Sequence, residues 1–576
     1  MPSRALMAVV AACVVLAPAP ALAADGYTFP PAEHVPDVLG DGILFAYSGL
    51  DGKTRVEPPM VATLAGGGLT LKFHFENEPA LRILLAENHR LTWRVVSNDL
   101  LVADVAGDDM PLVVGFTSAK VVVGRLPSGA RATLTGGGST TVILRDKVGE
   151  RSRFALAYDA GGPQVAARVA AQALKVSIET LIEGRLDFFA KAPHGDDNLR
   201  ARPAEALAKA FSVMKVNVYG PEPPLTVHWT TPSRWPERRQ NAWATAFHAL
   251  GLMHLDTHLA KEALVSVYLT QEEDGHIPGW SGPATAESLV QPPLLAQAAL
   301  TVYRHDKMRD RRFLQAAFDA GTKQVEWFLK NRRFGEAPPP EKPLTYGVPL
   351  HAWSTAEESG MPGSPRFATG TSMAAIDLST YLAVECRTLQ HMAQRLGLAV
   401  SARTWGQRAD ELAEAIRTHL WNAEKGFFFD RQGADGPWSE TWSVAGFLPL
   451  ALGVATNDQA RRLADHLASD RFRGTGGILT LARDQTGYTG EGWRGAVSMP
   501  MTYLVIRGLQ QQGLNPAARR LAQRAVATIT DRYHEAGTLD AFYAAGGTGS
   551  AAPDPGTRDY FPTAAVFADL LLRPEP

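Results

Sequence analysis

The rhythm of apolar and polar positions changes character along the chain. From Asp25 to about Asp159 the two kinds alternate in short runs: Gly42-Ile-Leu-Phe-Ala-Tyr, Leu69-Thr-Leu-Lys-Phe-His-Phe, Leu91-Thr-Trp-Arg-Val-Val, Lys120-Val-Val-Val-Gly and Thr140-Thr-Val-Ile-Leu. A period of two punctuated by glycine puts successive side chains on opposite faces and predicts an antiparallel β-sandwich over 24–160. Residues 161–222 turn helical, as in Val165-Ala-Ala-Arg-Val-Ala-Ala-Gln-Ala-Leu, and read as a linker region. From about Asn241 the period becomes 3.6 and stays there to the end of a second domain spanning 223–576.

Amphipathic segments fall at roughly 241–255, 258–271, 291–304, 311–331, 371–396, 402–420, 442–452, 458–469, 499–512, 516–534 and 560–572. Short links such as Asp256-Thr257 and Gly397 to Ser401 take turns with long ones such as Glu272 to Val290, Arg332 to Gly370 and Arg471 to Ser498. Antiparallel helices joined in that way gather the short links at one end and the long loops at the other, and loops beyond about fifteen residues in a compact domain are usually functional. The pattern predicts an (α/α)6 toroid, a ring of helical hairpins whose working face is built from long loops. An open helical solenoid is the alternative that the same segments could build.

Composition and charge narrow the partners. A net charge of −2 at pH 7 gives no field to hold nucleic acid or an anionic membrane, so a neutral or mildly charged ligand is expected. Met1 to Ala23 has an early Arg, an apolar run from Ala5 to Leu16 and a closing Ala21-Leu22-Ala23, which predicts a cleaved secretory signal and a periplasmic or extracellular protein. Its apolar run is shorter than the roughly 20 residues of a membrane span, and no later stretch predicts stable membrane insertion. Cys13 leaves with the signal, so Cys386 has no intrachain partner and reads as a small buried hydrophobe rather than a nucleophile. His254 and His258 stand four apart but straddle a helix break, so no metal is predicted there. No phosphate loop or dinucleotide fingerprint calls for a cofactor, and nothing in the sequence sets the oligomeric state.

The run Glu357-Glu358-Ser359-Gly360-Met361-Pro362-Gly363-Ser364-Pro365-Arg366-Phe367 can be neither helix nor strand and must be a shaped loop. It resembles the catalytic loop of the family 63 glycoside hydrolases, the α-glucosidase and mannosylglycerate hydrolase group related to trehalases, with its Glu-Ser-Gly-x-Asp-x-Ser-Pro-Arg pattern. Four more stretches are similar to that family: Trp229-Thr-Thr-Pro-Ser-Arg-Trp-Pro leading to Trp243-Ala-Thr-Ala-Phe-His; Gln271-Glu-Glu-Asp-Gly-His-Ile-Pro-Gly-Trp with Gln291-Pro-Pro; Glu491-Gly-Trp-Arg-Gly; and Gly537-Thr-Leu-Asp-Ala-Phe-Tyr. For Gln291-Pro-Pro a purely structural part is as reasonable as substrate contact. The resemblance implies an inverting carbohydrate hydrolase, with sugar-binding parts for Trp243, Trp280, Arg366, Trp493, Arg494 and Tyr543. For Arg494 an internal salt bridge with Glu491 is the plainer alternative.

The chain departs from the family where the chemistry sits. Pro362 stands at the general acid, Ala541 at the general base and Ala244 at a sugar-binding Asp. Hydrolysis needs one carboxyl to protonate the leaving oxygen and another to activate water, and neither Pro nor Ala moves a proton. The nearest carboxylates make Glu358 and Asp540 the candidate relocated pair, with Glu357 and Glu491 as alternates. A non-catalytic carbohydrate-binding relative is the second expectation, and a uronate-active lyase with Arg494 on the substrate carboxylate a third.

Overall fold

The computed structural model describes residues 34–573 except 56–59, 66–68, 76, 149–150, 196–200, 237, 336–347, 433–434, 548 and 553–557; the expected signal lies outside them. Eleven strands open the described chain: β1 Leu44–Ala46, β2 Val61–Ala65, β3 Leu69–Phe73, β4 Ala80–Leu84, β5 Leu91–Val96, β6 Leu100–Val105, β7 Leu112–Ser118, β8 Val121–Leu126, β9 Arg131–Thr135, β10 Thr141–Val148 and β11 Arg151–Tyr158. They form two antiparallel sheets, ordered β1-β2-β3-β4-β9 and β10-β11-β8-β7-β6-β5. Phe45, Phe73, Phe116 and Phe154 pack between the sheets. In β3, Leu69, Leu71 and Phe73 point inward, as its alternation predicts. By contrast β8 is buried on both faces, because two helices, α1 Pro163–Ala173 and α2 Ile178–Lys191, cover the outer face of its sheet through Ala170 and Ile182. The unbroken Val121-Val122-Val123 is what a doubly covered strand needs.

The stretch read as a helical linker therefore divides between two partners. Its first two helices belong to the sandwich, and the third, α3 Ala201–Val216, joins the ring. Six consecutive pairs complete that ring: α3 with α4 Ala242–Leu255, α5 Thr257–Tyr268 with α6 Leu295–His305, α7 Arg311–Asn331 with α8 Ile376–Leu396, α9 Ala399–His419 with the 3-10 helix Val444–Gly453, α10 Asn457–Ala468 with α11 Met499–Gln511, and α12 Asn515–Ala536 with α13 Phe561–Leu572. The second member of each pair is inner. Contacts run α4 to α6, α6 to α8, α8 to the 3-10 helix, that helix to α11, α11 to α13, and α13 back to α4. This last contact closes the toroid and removes the open solenoid. Because α4 lies between α3, α5, α6 and α13, it is apolar on nearly every side. The fourth inner helix carries Pro449, whose ring nitrogen has no hydrogen to give an α-helical bond.

Every inner helix starts at the long-loop end, and two-residue antiparallel ladders stitch that mouth. Gln240–Asn241 pair with Trp280–Ser281, and Val497–Ser498 pair with Phe542–Tyr543. Isolated bridges join Ala374 to Arg431 and Ser443 to Leu481. Buried charges lock the sandwich to the ring: Lys215 Nζ lies 2.6 Å from Asp99 and 3.0 Å from Asp51, and Lys209 Nζ 3.1 Å from Asp559. Asp559, from the last mouth loop, also accepts the Leu44 N–H at 2.9 Å. No helix among the described residues is long and apolar enough to cross a membrane.

Candidate functional site

The loop 357–367 folds as two short 3-10 turns, Glu357–Ser359 and Pro365–Phe367, around glycines that few other residues could replace: Gly360 and Gly363 adopt φ of 71° and 73°. Three anchors hold it. Gln291 Nε2 donates to the Glu357 carbonyl at 2.8 Å, so the Gln-Pro-Pro motif supports this loop. Arg332 donates to Glu358 from Nε at 2.9 Å and from Nη2 at 2.6 Å. Arg366 is sealed in the interior between Asp377 and Asp430, both gripped bidentately at 2.5–3.0 Å. Asp377 also accepts from the Trp353 indole and Asp430 from the Ile376 N–H, so Arg366 clamps the loop to the start of α8. It is a structural clamp and offers nothing to a sugar.

Glu358 and Asp540 do not present themselves to the mouth. Glu358 is fully buried, and Oε2 also accepts the Ser354 N–H at 3.1 Å, so both oxygens are taken. Asp540 is fully buried as well, with Oδ2 held 2.6 Å from Arg532 Nε. Burial raises its pKa despite the opposing charge of Arg532. A carboxyl enclosed like this can meet a glycosidic oxygen only after its ion pair breaks. Tyr543 is likewise turned inward, its hydroxyl accepting the Asp540 N–H at 3.3 Å, and Trp243 is buried with its ring edge-on to Phe247. Ala244 is also buried, its N–H capped by Asn241.

Other groups do reach the mouth. Pro362, Glu357 and Glu491 are exposed. Glu491 precedes the 3-10 turn Gly492–Arg494, which Thr480 fixes by donating to the Gly492 carbonyl at 2.8 Å and accepting the Gly495 N–H at 3.0 Å. Gly495 has φ 121°, and a Cβ there would come within 2.2 Å of the Tyr488 ring, which explains the glycine of Trp-Arg-Gly. Trp493 is half-buried, edge-on to Phe542 with centroids 5.1 Å apart. Arg494 Nε donates to the Gly487 carbonyl at 2.9 Å; among the described residues it forms no ion pair, with Glu491 or any other acid. Trp280 is half-buried with one face under the Arg239 guanidinium at 5.3 Å.

Sequence reasoning passed over Trp438 and Tyr488, both half-buried in long loops, Trp438 beneath Arg431 at 4.4 Å. Their signal was an aromatic residue in a long loop without a motif around it. Cys386 is buried in α8, and burial pushes its thiol up to about 12. His254 bonds Asp569 at 3.0 Å, while His258 stands exposed 3.8 Å from Glu262.

Comparisons with known proteins agree with this architecture. Residues 237–561 match a family described as the mannosylglycerate hydrolase MGH1-like glycoside hydrolase domain. The periplasmic trehalase of Pseudomonas aeruginosa is 26% identical over 245 residues, covering 40% of this chain and 43% of the trehalase. The chain spans less than half the length of the curated relatives it matches. Among solved structures, the family 63 mannosylglycerate hydrolase from Thermus thermophilus in complex with glucose aligns over 63% of this chain and 99% of its own, at 19% identity and a TM-score of 0.54. A bacterial glucoamylase complexed with acarbose aligns over 95% of both chains at 8% identity and a TM-score of 0.60, so the likeness there is of fold and takes in the sandwich as well. With more than half of its length matched by the one family, the chain belongs to the mannosylglycerate hydrolase MGH1-like glycoside hydrolases.

Proposed function

We propose that this protein hydrolyses a glycosidic bond of an α-linked oligo- or polysaccharide at the long-loop mouth, with inversion, after export to the periplasm. The observation that carries the reading is one turn: Glu491, Trp493 and Arg494 sit together on the loop face, with both charged groups unpaired among the described residues. An indole face suits the C–H face of a pyranose, and a guanidinium offers planar donors to hydroxyl or carboxylate oxygens. With Glu358 and Asp540 held by arginines, proton transfer falls to Glu491 and Glu357, exposed carboxylates of the long loops. Inversion asks for a separation of about 6.5–9.5 Å between them in the working complex. Release of reducing sugar from a glycan panel, with NMR assignment of the anomer formed first, tests this. Glu491→Gln and Glu357→Gln should each lower turnover by about 10²-fold. Full activity in both variants refutes the assignment.

A second reading, carbohydrate binding without turnover, is favoured by the arginine locks on Glu358 and Asp540 beside the substituted positions Pro362 and Ala541. Saturable binding of a glycan that the unaltered protein never cleaves would select it. Export rests on the signal-like Met1 to Ala23 and on similarity to periplasmic trehalases. Protein from its native host should begin near Ala24, and an intact Met1 in soluble cytoplasmic material would remove that part.

A further inference from the structure

At the other end of the ring the inner helices enclose a cavity of about 800 Å³. Its lining includes Arg304, Arg387, Arg507, Arg573 and His391 and, among the described residues, no Asp or Glu. Arg304 is in the last turn of α6, Arg507 lies toward the end of α11, and Arg573 caps α13, so the cationic end opens among the short links, away from the loop 357–367.

Two of these cations are spoken for. Arg573 pairs with Asp569 at 2.9 Å, and Arg387 pairs with Asp410. Arg507 has the neutral Gln510 oxygen at 2.9 Å and the Tyr503 ring 5.9 Å away, and among the described residues neither it nor Arg304 has an acidic partner. The ordinary use of arginine at helix C-termini is to satisfy free carbonyls and the dipole. Neighbouring arginines do this: Arg311 donates to the Leu396 carbonyl at 2.7 Å and Arg417 to that of Val454 at 3.1 Å. Arg304 and Arg507 cap nothing. Arg304 is instead crowded by Arg395, and burial together with the charges of Arg304, Arg387 and Arg395 lowers the pKa of the His391 ring. Uncompensated positive charge facing a half-enclosed space lacks its anion. Deeper in, Phe247, Leu250 and Leu504 give the same cavity an apolar wall.

We propose that this cavity binds a small organic phosphate, its phosphoryl oxygens between Arg304 and Arg507 and its carbon body against Phe247, Leu250 and Leu504. Guanidinium forks match phosphate oxygens, and the volume is that of a small-molecule site. The site is independent of whatever the loop mouth does.

Calorimetric titration of the full chain with phenyl phosphate, inorganic phosphate and phenol in phosphate-free buffer tests it. Phenyl phosphate should bind saturably at one site, about tenfold or more tighter than inorganic phosphate, with phenol silent. Arg304→Gln and Arg507→Gln should each weaken it about tenfold, Arg494→Gln at the opposite mouth should leave it unchanged, and added salt should weaken binding to the unaltered protein. Salt dependence of the unaltered protein reads the charge even where a variant folds poorly. Absence of saturable binding, affinity indifferent to salt, affinity in both cavity variants unchanged from that of the unaltered protein, or loss through Arg494→Gln would overturn the proposal.

Discussion

Replacing Glu358 with Gln separates a structural carboxylate from a proton donor. Its two oxygens accept three bonds, from Arg332 Nε, Arg332 Nη2 and the Ser354 N–H, and the side chain has no exposed surface. An amide has one accepting and one donating end. Whichever way it turns, its NH2 group meets a donor from Arg332, leaving a charge-assisted bond lost and a buried donor unsatisfied. Those terms amount to about 2–4 kcal/mol of stability. The Arg332 side chain keeps 13% exposure, so water recovers part of its hydration and draws the cost toward the lower end. Arg332→Met should be worse, about 3–5 kcal/mol, because it strands a buried carboxylate. The double variant should cost less than the sum, with a coupling of about 2 kcal/mol. Urea unfolding followed by tryptophan fluorescence measures all three, and turnover or glycan affinity per folded molecule should barely move. A Glu358→Gln protein as stable as its parent but about 10²-fold slower would refute this reasoning and return Glu358 to catalysis.

Trp493→Ala should weaken glycan binding by about 1 kcal/mol or more while the unfolding transition stays in place, which calorimetry with a proven ligand would show. Gly495→Ala forces a Cβ into the Tyr488 ring at a left-handed φ and should destabilise the mouth by about 2 kcal/mol or more, read as a lower urea midpoint. Two buried groups set opposing pH slopes. Burial raises Glu385, an α8 residue whose oxygens accept the Ala296 and Gln297 N–H groups in the first turn of α6, to about 7, so the folded protein holds its proton more tightly than the unfolded chain and stability falls as pH rises from about 4.5 to 7. Burial and the charge of Arg333 lower His351 to about 3, so stability falls as pH drops from about 6.5 toward 3. Urea midpoints across pH should show Glu385→Gln flattening the first slope and His351→Gln the second; an unchanged profile in either variant would refute its assignment.

The ring is legible in the sequence because link length alternates, a property of the chain that needs no knowledge of contacts. Its first outer helix is harder to see, since α3 shares its helical character with α1 and α2 and only packing tells which partner it serves. The site is legible as a set of stretches but not as a set of directions. Adjacency to Pro362 makes Glu358 look available, whereas Arg332, 26 positions away in the chain, seals it. Arg366 and Tyr543 carry the chemistry of sugar contacts, yet Asp377, Asp430 and Asp540 draw them inside. Arg332 and Asp430 lie 26 and 64 positions from the residues they hold, where no local pattern reaches, whereas Asp540 is only three from Tyr543 and the sequence hides the direction of the turn rather than the spacing. Trp493 and Arg494 stay on the loop face because their turn is held by its own backbone and by Thr480.

The anchors of the loop 357–367 all bypass residue 362. Gln291, Arg332, Asp377 and Asp430 grip the chain on either side of it, and Pro362 itself faces solvent. Selection on folding and selection on reactivity thus act on different residues of one eleven-residue segment. The position where a proton donor would stand can drift at almost no cost to the fold, while Glu358 and Arg366 cannot. A lineage can then lose a reaction, hold the empty cradle intact, and later adopt a different one by a single substitution at the rim.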